Sequence, residues 1–122
     1  MDLHAFWHAV LKQDANAIRP YFHPDAVILW HCSNERFTVE EFIRANCEYP
    51  GQWDGEMLRL AQCGDTAVTA LRIYPSDHSA EFYVTSFFRI RNEQITDMEE
   101  VWADASPAPA WRQAMHIGTP IR

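Results

Sequence analysis

Lysine is almost absent from this 122-residue chain, in which Lys12 is the only one. The arginines are scattered, and the acidic residues bring the formal net charge to −7. Nucleic-acid surfaces normally need clustered Lys and Arg, so this charge pattern argues against a nucleic-acid partner. Glycine is scarce as well, and the four glycines are spread one at a time. The sequence therefore contains no phosphate-binding glycine loop.

Cysteine is also scarce. Cys32, Cys47 and Cys63 are an odd and widely spaced set without a Cys-x-x-Cys pair, which predicts neither a zinc ribbon nor a redox motif. We expect three reduced and mostly buried thiols, as in a cytosolic protein. No apolar run approaches the length that crosses a membrane. The sequence therefore predicts no membrane partner and, by default, a cytoplasmic location.

Aromatic residues are abundant instead, with five Trp, seven Phe and four Tyr. A chain of this length folds around a single core, so we predict one domain over residues 1–122. From about residue 104 to 122 the sequence becomes an irregular tail. Trp111, Met115 and Ile117 in this tail favour packing back onto the body of the domain.

Helical spacing marks three helices in the first half of the chain. The first carries an apolar stripe at Leu3, Phe6, Trp7, Val10 and Leu11. Asp2 is placed to cap this helix, and Asp14 to cap a short second one. Thr38 and Glu41 form a capping box, which predicts a third helix from about Val39 to Glu48.

Strand-like periodicity fills most of the remaining sequence. The predicted strands are Ala26–Cys32, Glu56–Cys63, Thr66–Tyr74 and two long strands within Ala80–Trp102. Ser33–Phe37 is predicted to be a polar turn, and Arg91–Gln94 the turn between the last two strands. This order predicts an α+β fold, in which a cone-shaped, curved antiparallel or mixed sheet packs against three N-terminal helices.

Three short segments carry a family resemblance. Phe22–Val27 (FHPDAV) resembles an F-x-x-D-A-x motif at the first strand, Phe88–Ile95 (FRIRNEQI) is similar to an F-R-[apolar]-x-D-G-K-I hairpin, and Met98–Trp102 (MEEVW) resembles an L-R-E-Y-W final strand. With the order of elements, they resemble the nuclear transport factor 2-like superfamily, particularly its SnoaL-like and ketosteroid-isomerase-like branch. The resemblance covers residues 2 to about 104 and implies a cystatin-like roll.

In that family the sheet curls around an apolar cavity between it and the first and third helices. The resemblance implies isomerases, cyclases, dehydratases and epoxide hydrolases without a cofactor, together with members of no known reaction. The isomerase pattern places its two acidic residues at the positions of Trp30 and Ser86 here. Neither side chain can act as a carboxylate base, which argues against ketosteroid isomerase activity.

Glu100 is the strongest catalytic candidate. Some members of the resembled family use a glutamate at this strand position as general acid. An apolar pocket would raise the pKa of the carboxyl, so that it could donate a proton near pH 7. In the family register, the cavity-facing residues of the last two strands are Ser86, Phe88, Met98, Glu100 and Trp102.

The strand register after the Arg91–Gln94 turn decides which acid faces the cavity. A plain two-residue turn at Asn92–Glu93 would send Glu99 inward, whereas a three-residue turn or a β-bulge turns Glu100 inward. Curved sheets of this kind usually need a bulge, so we predict that Glu100 faces inward. The alternative is an exposed acid on the outer face.

Histidines supply further candidates. An imidazole at His31 could serve as a base or proton shuttle at a pocket mouth, although strand alternation places it on the face opposite Trp30. His4 and His8 have the i, i+4 spacing of a helical metal pair. They lie off the apolar stripe and no acidic third ligand is identifiable, so we predict a solvated face and no metal site.

The aromatic residues could line a cavity for a flat apolar or aromatic ligand, or they could fill the cone as core. The predicted ligand-contacting residues are Trp7, Trp30, Phe42, Trp53, Ser86, Phe88, Met98 and Trp102, with a hydroxyl from Tyr49 or Tyr83. On the outer face of the sheet, Tyr83, Thr85, Phe87 and Arg89 suit sheet-to-sheet dimerisation, which the resemblance also implies.

Two functions are therefore open. One is a small-molecule-binding protein that acts as an isomerase, lyase or hydrolase, with Glu100 as its acid or base. The other is a non-catalytic ligand-binding or dimeric association domain that keeps the fold and lacks the site. Glu100 in an apolar strand favours the first, whereas Trp30 and Ser86 at the usual acidic positions favour the second.

Overall fold

The computed structural model describes residues 1–122. Its helices are α1 (Leu3–Leu11), α2 (Ala15–Ile18), α3 (Val39–Cys47) and α4 (Ala110–Gln113), with a 3₁₀ turn at Arg19–Tyr21. Its strands are β1 (Phe22–Trp30), β2 (Glu35–Phe37), β3 (Trp53–Cys63), β4 (Thr66–Pro75), β5 (Phe82–Arg91) and β6 (Gln94–Asp104). None of the helices is long and apolar enough to span a lipid bilayer.

The six strands form one curved, unclosed sheet in the order β2-β1-β6-β5-β4-β3. Neighbouring strands are antiparallel except for β1 and β6, which run parallel. Apolar residues of α1 and α3 join those of the inner face of the sheet in one core cluster. The predicted α+β fold, a mixed curved sheet packed against N-terminal helices, is confirmed.

Each predicted helix start is present, because short-range side-chain bonds determine it. The Asp2 carboxylate accepts a hydrogen bond from the backbone N–H of Ala5 at 2.9 Å, and Asp14 caps α2 in the same way. Thr38 and Glu41 form both bonds of the predicted capping box. These caps satisfy backbone donors that the first helical turn leaves unpaired.

The first edge of the sheet differs from the sequence prediction. β1 begins at Phe22, four residues earlier than predicted, and ends at Trp30. Its pairing with β6 is interrupted between Phe22 and Val27, so Pro24 lies where no ladder hydrogen bond is required of it. The stretch Ser33–Phe37, predicted as a turn, contains β2, which pairs with β1. This strand has three residues and is largely exposed, so it shows no apolar alternation.

A β-bulge in β6 determines which residues of the last strand face inward. The β5–β6 turn has the two-residue form, with Arg91 opposite Gln94. Thr96 and Asp97 then both lie opposite Arg89, because the register shifts at this point. The extra residue reverses the alternation that a plain hairpin would impose, which turns Glu100 inward.

The three cysteines are free, and Cys32 and Cys63 are exposed. The prediction of mostly buried thiols is wrong, because Cys32 lies in the turn after β1 and Cys63 at the hairpin end of β3. The Cys32 thiol donates a hydrogen bond to the Trp102 carbonyl at 3.2 Å. Cys47 is half-buried, and this burial raises the pKa of its thiol.

The C-terminal tail does not bury its apolar side chains, which corrects the expectation that they pack onto the body. Trp111 is 66% exposed and Ile121 91% exposed. The inner face of the sheet is already covered by helices, and no residue after Glu100 is buried. Only the end of the tail returns to the sheet, where the Arg122 guanidinium donates to the Tyr83 hydroxyl at 2.9 Å.

Candidate functional site

A cavity of about 270 Å³ opens at one end of the sheet. Because β1 and β6 are parallel and the other strands alternate, the ends of β1, β4 and β6 meet the beginnings of β3 and β5 at this edge. Aliphatic residues of α1 and β4 form part of the wall, namely Val10, Leu11 and Ile73. The lining is thus assembled from strand ends and helices that lie far apart in the sequence.

Aromatic rings dominate the rest of the wall. The Tyr49 ring lies 5.2 Å from the Trp53 ring, and Trp53 lies 5.6 Å from Phe82, between ring centroids. Trp30 and Trp102 form a second group, with centroids 5.9 Å apart. All five rings line the same cavity, so a bound molecule would meet aromatic surface on more than one side.

Glu100 lies beneath this wall and is completely buried. The Trp30 indole N–H donates to one carboxyl oxygen at 2.9 Å, and the Ser86 hydroxyl lies 2.5 Å from the other oxygen. Burial raises the pKa of Glu100 to about 7, although the hydrogen bonds from Ser86 and the Trp30 indole, together with the nearby Trp102 indole, lower it in part. No charged group contributes to this shift. The carboxyl therefore changes protonation near neutral pH.

The Glu100 carboxyl does not itself line the cavity, but Trp30 and Trp102 do. Trp102 lies close enough to the carboxyl to lower its pKa slightly. Its indole N–H is nevertheless buried without a hydrogen-bond partner, whereas the Trp30 N–H is bonded to the carboxyl. Of the two side chains that separate the Glu100 carboxyl from the cavity, Trp102 is therefore less restrained by hydrogen bonds than Trp30.

The predicted ligand-contacting residues divide into three groups. Trp30, Trp53 and Trp102 line the cavity. Ser86 is buried against Glu100. The other four, Trp7, Phe42, Phe88 and Met98, lie in the closed core and do not line the cavity. Phe88 and Met98 lie on the inner face of the sheet, and Trp7 and Phe42 lie on the helices that close onto it. The Trp7 indole N–H donates to Thr69 Oγ1 at 3.0 Å.

Sequence reasoning missed Gln13, Asn46, Phe82 and Asp104 of the lining. Phe82 could have been found, because it lies on the same strand face as Val84 and Ser86. Gln13 could not, since it lies between two helices. Its amide donates to the backbone carbonyls of Asn46 at 2.8 Å and Tyr49 at 2.6 Å, which ties this loop to the end of α3.

The histidines lie away from the cavity. His31 follows the end of β1, and its Nε2 lies 2.8 Å from a Glu99 oxygen on the face opposite Glu100. Both side chains are about half exposed. His4 and His8 are exposed, and no cluster of three His, Cys, Asp or Glu side chains could hold a metal ion.

The sequence profile of the SnoaL-like domain matches residues 3–98. The chain belongs to the SnoaL-like domain family. The resemblance to the nuclear transport factor 2-like superfamily is thereby confirmed. No protein of curated function matches this SnoaL-like domain significantly.

Solved structures share the fold of this SnoaL-like domain at low sequence identity. A Kribbella flavida protein provisionally assigned as a ketosteroid isomerase is 18% identical, with a TM-score of 0.80 over 97% of this chain and 87% of that one. An NTF2-like protein of unknown function from Burkholderia xenovorans is 22% identical, with a TM-score of 0.77 over 97% and 91%. A Catenulispora acidiphila protein of ketosteroid isomerase-like fold, solved in complex with trimethylamine, is 16% identical, with a TM-score of 0.67 over 80% and 82%. At these identities the likeness establishes the fold alone.

Proposed function

We propose that this SnoaL-like domain binds a small apolar or aromatic molecule in the cavity between its helices and the end of its sheet. The observation that carries the proposal is the wall of five aromatic rings around an open volume of about 270 Å³. That volume suits a ligand of modest size, since cavities for drug-sized molecules begin at about 300 Å³. One protein of similar fold was solved in complex with trimethylamine, which supports a small-molecule ligand.

Replacing Trp53 by Ala should weaken the binding of a flat aromatic probe such as 2-naphthol about tenfold. Trp53 contacts both Tyr49 and Phe82 in the wall, and losing an aromatic contact of this kind removes about 1.5 kcal/mol. Isothermal titration calorimetry measures the change. Trp111→Ala is the matched control, because Trp111 is exposed in the tail. Equal affinities in the two variants would contradict the proposed location.

A second candidate function, acid–base catalysis, is favoured by the buried carboxyl of Glu100. A neutral carboxyl near pH 7 can donate a proton, and its carboxylate can accept one. Reaction with a ligand in the cavity requires contact with the carboxyl, and rotation of the Trp102 side chain would permit it without breaking an indole hydrogen bond. The reaction would be of the isomerase, lyase or hydrolase type and would need no cofactor.

The Trp30 indole N–H should report the protonation of Glu100 directly. Ionisation of the carboxyl strengthens the hydrogen bond that this indole donates. The indole proton resonance should therefore move downfield with a midpoint near pH 7, as followed by ¹H–¹⁵N NMR. The resonance should stay constant in Glu100→Gln. A Trp30 resonance that does not change between pH 5 and 9 in the natural protein would exclude the assigned acid.

The outer face of the sheet supports a second copy of this chain as partner. Phe87 is 47% exposed and Val101 44% exposed, and Arg89 lies opposite Asp97 across the two strands. A face with exposed apolar residues and both charge signs can pair with its own copy about a two-fold axis. Tyr83 and Thr85 extend the same face.

Phe87→Asp should convert this dimer to a monomer, because the substitution places a charge in the middle of the apolar contact. Light scattering coupled to size-exclusion chromatography gives the mass directly. His8→Asp, on the exposed side of α1, should leave the mass of the natural protein unchanged. A natural protein that is monomeric at all concentrations would refute this partner.

A further inference from the structure

The lining of the cavity carries a single full charge, which is negative. Among the lining residues Asp104 is the only one with a full charge. None of the ion pairs within the chain involves Asp104. No Lys, Arg or His contributes to the lining, and the formal net charge of the whole chain is −7. An unpaired carboxylate in the lining of a negatively charged chain favours cations over anions in the cavity.

The hydrogen-bond donors of the wall are largely occupied by the chain itself. Gln13 donates to two backbone carbonyls. The Trp30 indole donates to Glu100, and the Trp53 indole donates to the Pro50 carbonyl at 3.2 Å. An anionic or carbonyl ligand would lose its water shell and find in return chiefly the Trp102 indole N–H, which is buried and has no partner within the chain. Such a ligand is therefore disfavoured by the polar groups of the wall as well as by the charge.

Aromatic faces stabilise cations in the absence of such donors. The negative face of an indole or phenol ring attracts an ammonium group, and several rings around one site form the arrangement that recognises quaternary ammonium ions. Here Trp30 and Trp102 form one group, and Tyr49, Trp53 and Phe82 form another, on the same cavity. Trp is the ring that binds cations best, and three of the five rings are Trp.

We infer that the ligand of this cavity is a small organic cation, an alkylammonium compound whose charged group is enclosed by the aromatic rings and balanced by Asp104. The inference rests on the ligand-binding function proposed above and restricts the chemical class of the ligand. Apolar substituents on the nitrogen contact the rings and the aliphatic wall, so the ligand need not donate or accept hydrogen bonds. A neutral apolar molecule of the same shape lacks the attraction to the rings and to the carboxylate.

The test compares the binding of choline with that of 3,3-dimethylbutan-1-ol. This alcohol has the same shape as choline, but a neutral carbon replaces the charged nitrogen. Titration calorimetry on the full chain at constant ionic strength gives both affinities, with 2-naphthol as a neutral aromatic ligand for reference. We expect choline to bind at least about tenfold more tightly than its carbon analogue, since enclosed cation–π contacts have this magnitude. Asp104→Asn should weaken the binding of choline about fivefold, because an exposed charge contributes modestly to affinity. The affinity for the alcohol should stay unchanged. Trp53→Ala should weaken the binding of choline more than Asp104→Asn does.

The outcomes separate this inference from the proposal on which it rests. If the alcohol binds as tightly as choline while 2-naphthol still binds and depends on Trp53, the cavity is a neutral-ligand site and the inference is overturned. If none of the three compounds binds, the proposed function fails together with it. If choline binds more tightly than the alcohol and Asp104→Asn removes part of this difference, the result supports both the inference and the proposed function.

Discussion

Glu100→Gln should raise the free energy of unfolding by about 3 kcal/mol at pH 8 and change it little at pH 4.5. In the folded protein burial raises the pKa of Glu100 to about 7, from an ordinary value of 4.5. The unfolded chain therefore binds fewer protons than the folded one between these two pH values. The stability that the neutral carboxyl contributes is complete below pH 4.5 and decreases as the pH rises to 7, by about 1.4 kcal/mol per unit of pKa difference.

Glutamine avoids this loss because it does not ionise. Its amide can keep both contacts, since the oxygen accepts from the Trp30 indole and the nitrogen donates to Ser86 Oγ. Urea unfolding at pH 4.5, 6 and 8 measures the difference between the two proteins, in which the other titrating groups cancel. Glu99→Gln on the outer face should show no comparable trend. Parallel stability curves for the natural protein and Glu100→Gln would mean that the carboxyl does not titrate in the interior.

A buried acid that lowers stability at neutral pH is difficult to explain as part of the core. Leu or Met at this position would pack against Met98 and Trp102 without ionising. Proteins carry such locally unfavourable groups chiefly at functional sites. This is the physical reason to keep Glu100 as the proposed acid, although the cavity alone would suffice for binding.

Deletion of Glu99 should abolish cooperative folding, whereas deletion of Thr96 should leave a folded domain. Removing Glu99 changes the alternation in the middle of β6. Either Glu100 turns outward and loses its bonds to Trp30 and Ser86, or Asp97 takes the place of Met98 in the core. Each alternative costs at least about 5 kcal/mol, comparable to the whole stability of a small domain.

Thr96 is the matched control because it is the extra residue of the bulge. Without it, Asp97 still lies opposite Arg89 and Met98 still lies opposite Phe88. The deletion should cost less than about 2 kcal/mol, through the lost bend at the hairpin. Circular dichroism during thermal and urea unfolding distinguishes the two variants. If both deletions melt alike, alternation is not what places Glu100.

The parts of the fold that follow from short-range chemistry could be predicted from the sequence. Asp2, Asp14 and the Thr38–Glu41 box determine where helices begin, because cap and backbone lie within one turn of each other. The inward position of Glu100 was also predictable, since a curved sheet requires a bulge. β2 was not, because a short exposed edge strand leaves no pattern in the sequence.

Depth within the cone was the main property that the sequence did not reveal. Alternation shows that Phe88 and Trp102 share the inner face, but not that only Trp102 reaches the cavity. That difference depends on how far α1 and α3 extend over the sheet, which is a tertiary property. The positions of Gln13 and Asp104 in the lining also depend on tertiary structure, since each residue lies where separate elements meet.

The contact between Cys32 and the Trp102 carbonyl makes Cys32 a suitable position for a chemical label near the cavity. Cys32 is an exposed thiol bonded to the backbone of the residue that separates Glu100 from the cavity. A thiol-reactive fluorophore attached there would follow Trp102 without an engineered cysteine. Cys63, exposed at the β3–β4 hairpin, would react with the same reagent, so Cys63→Ser is needed to confine the label to Cys32.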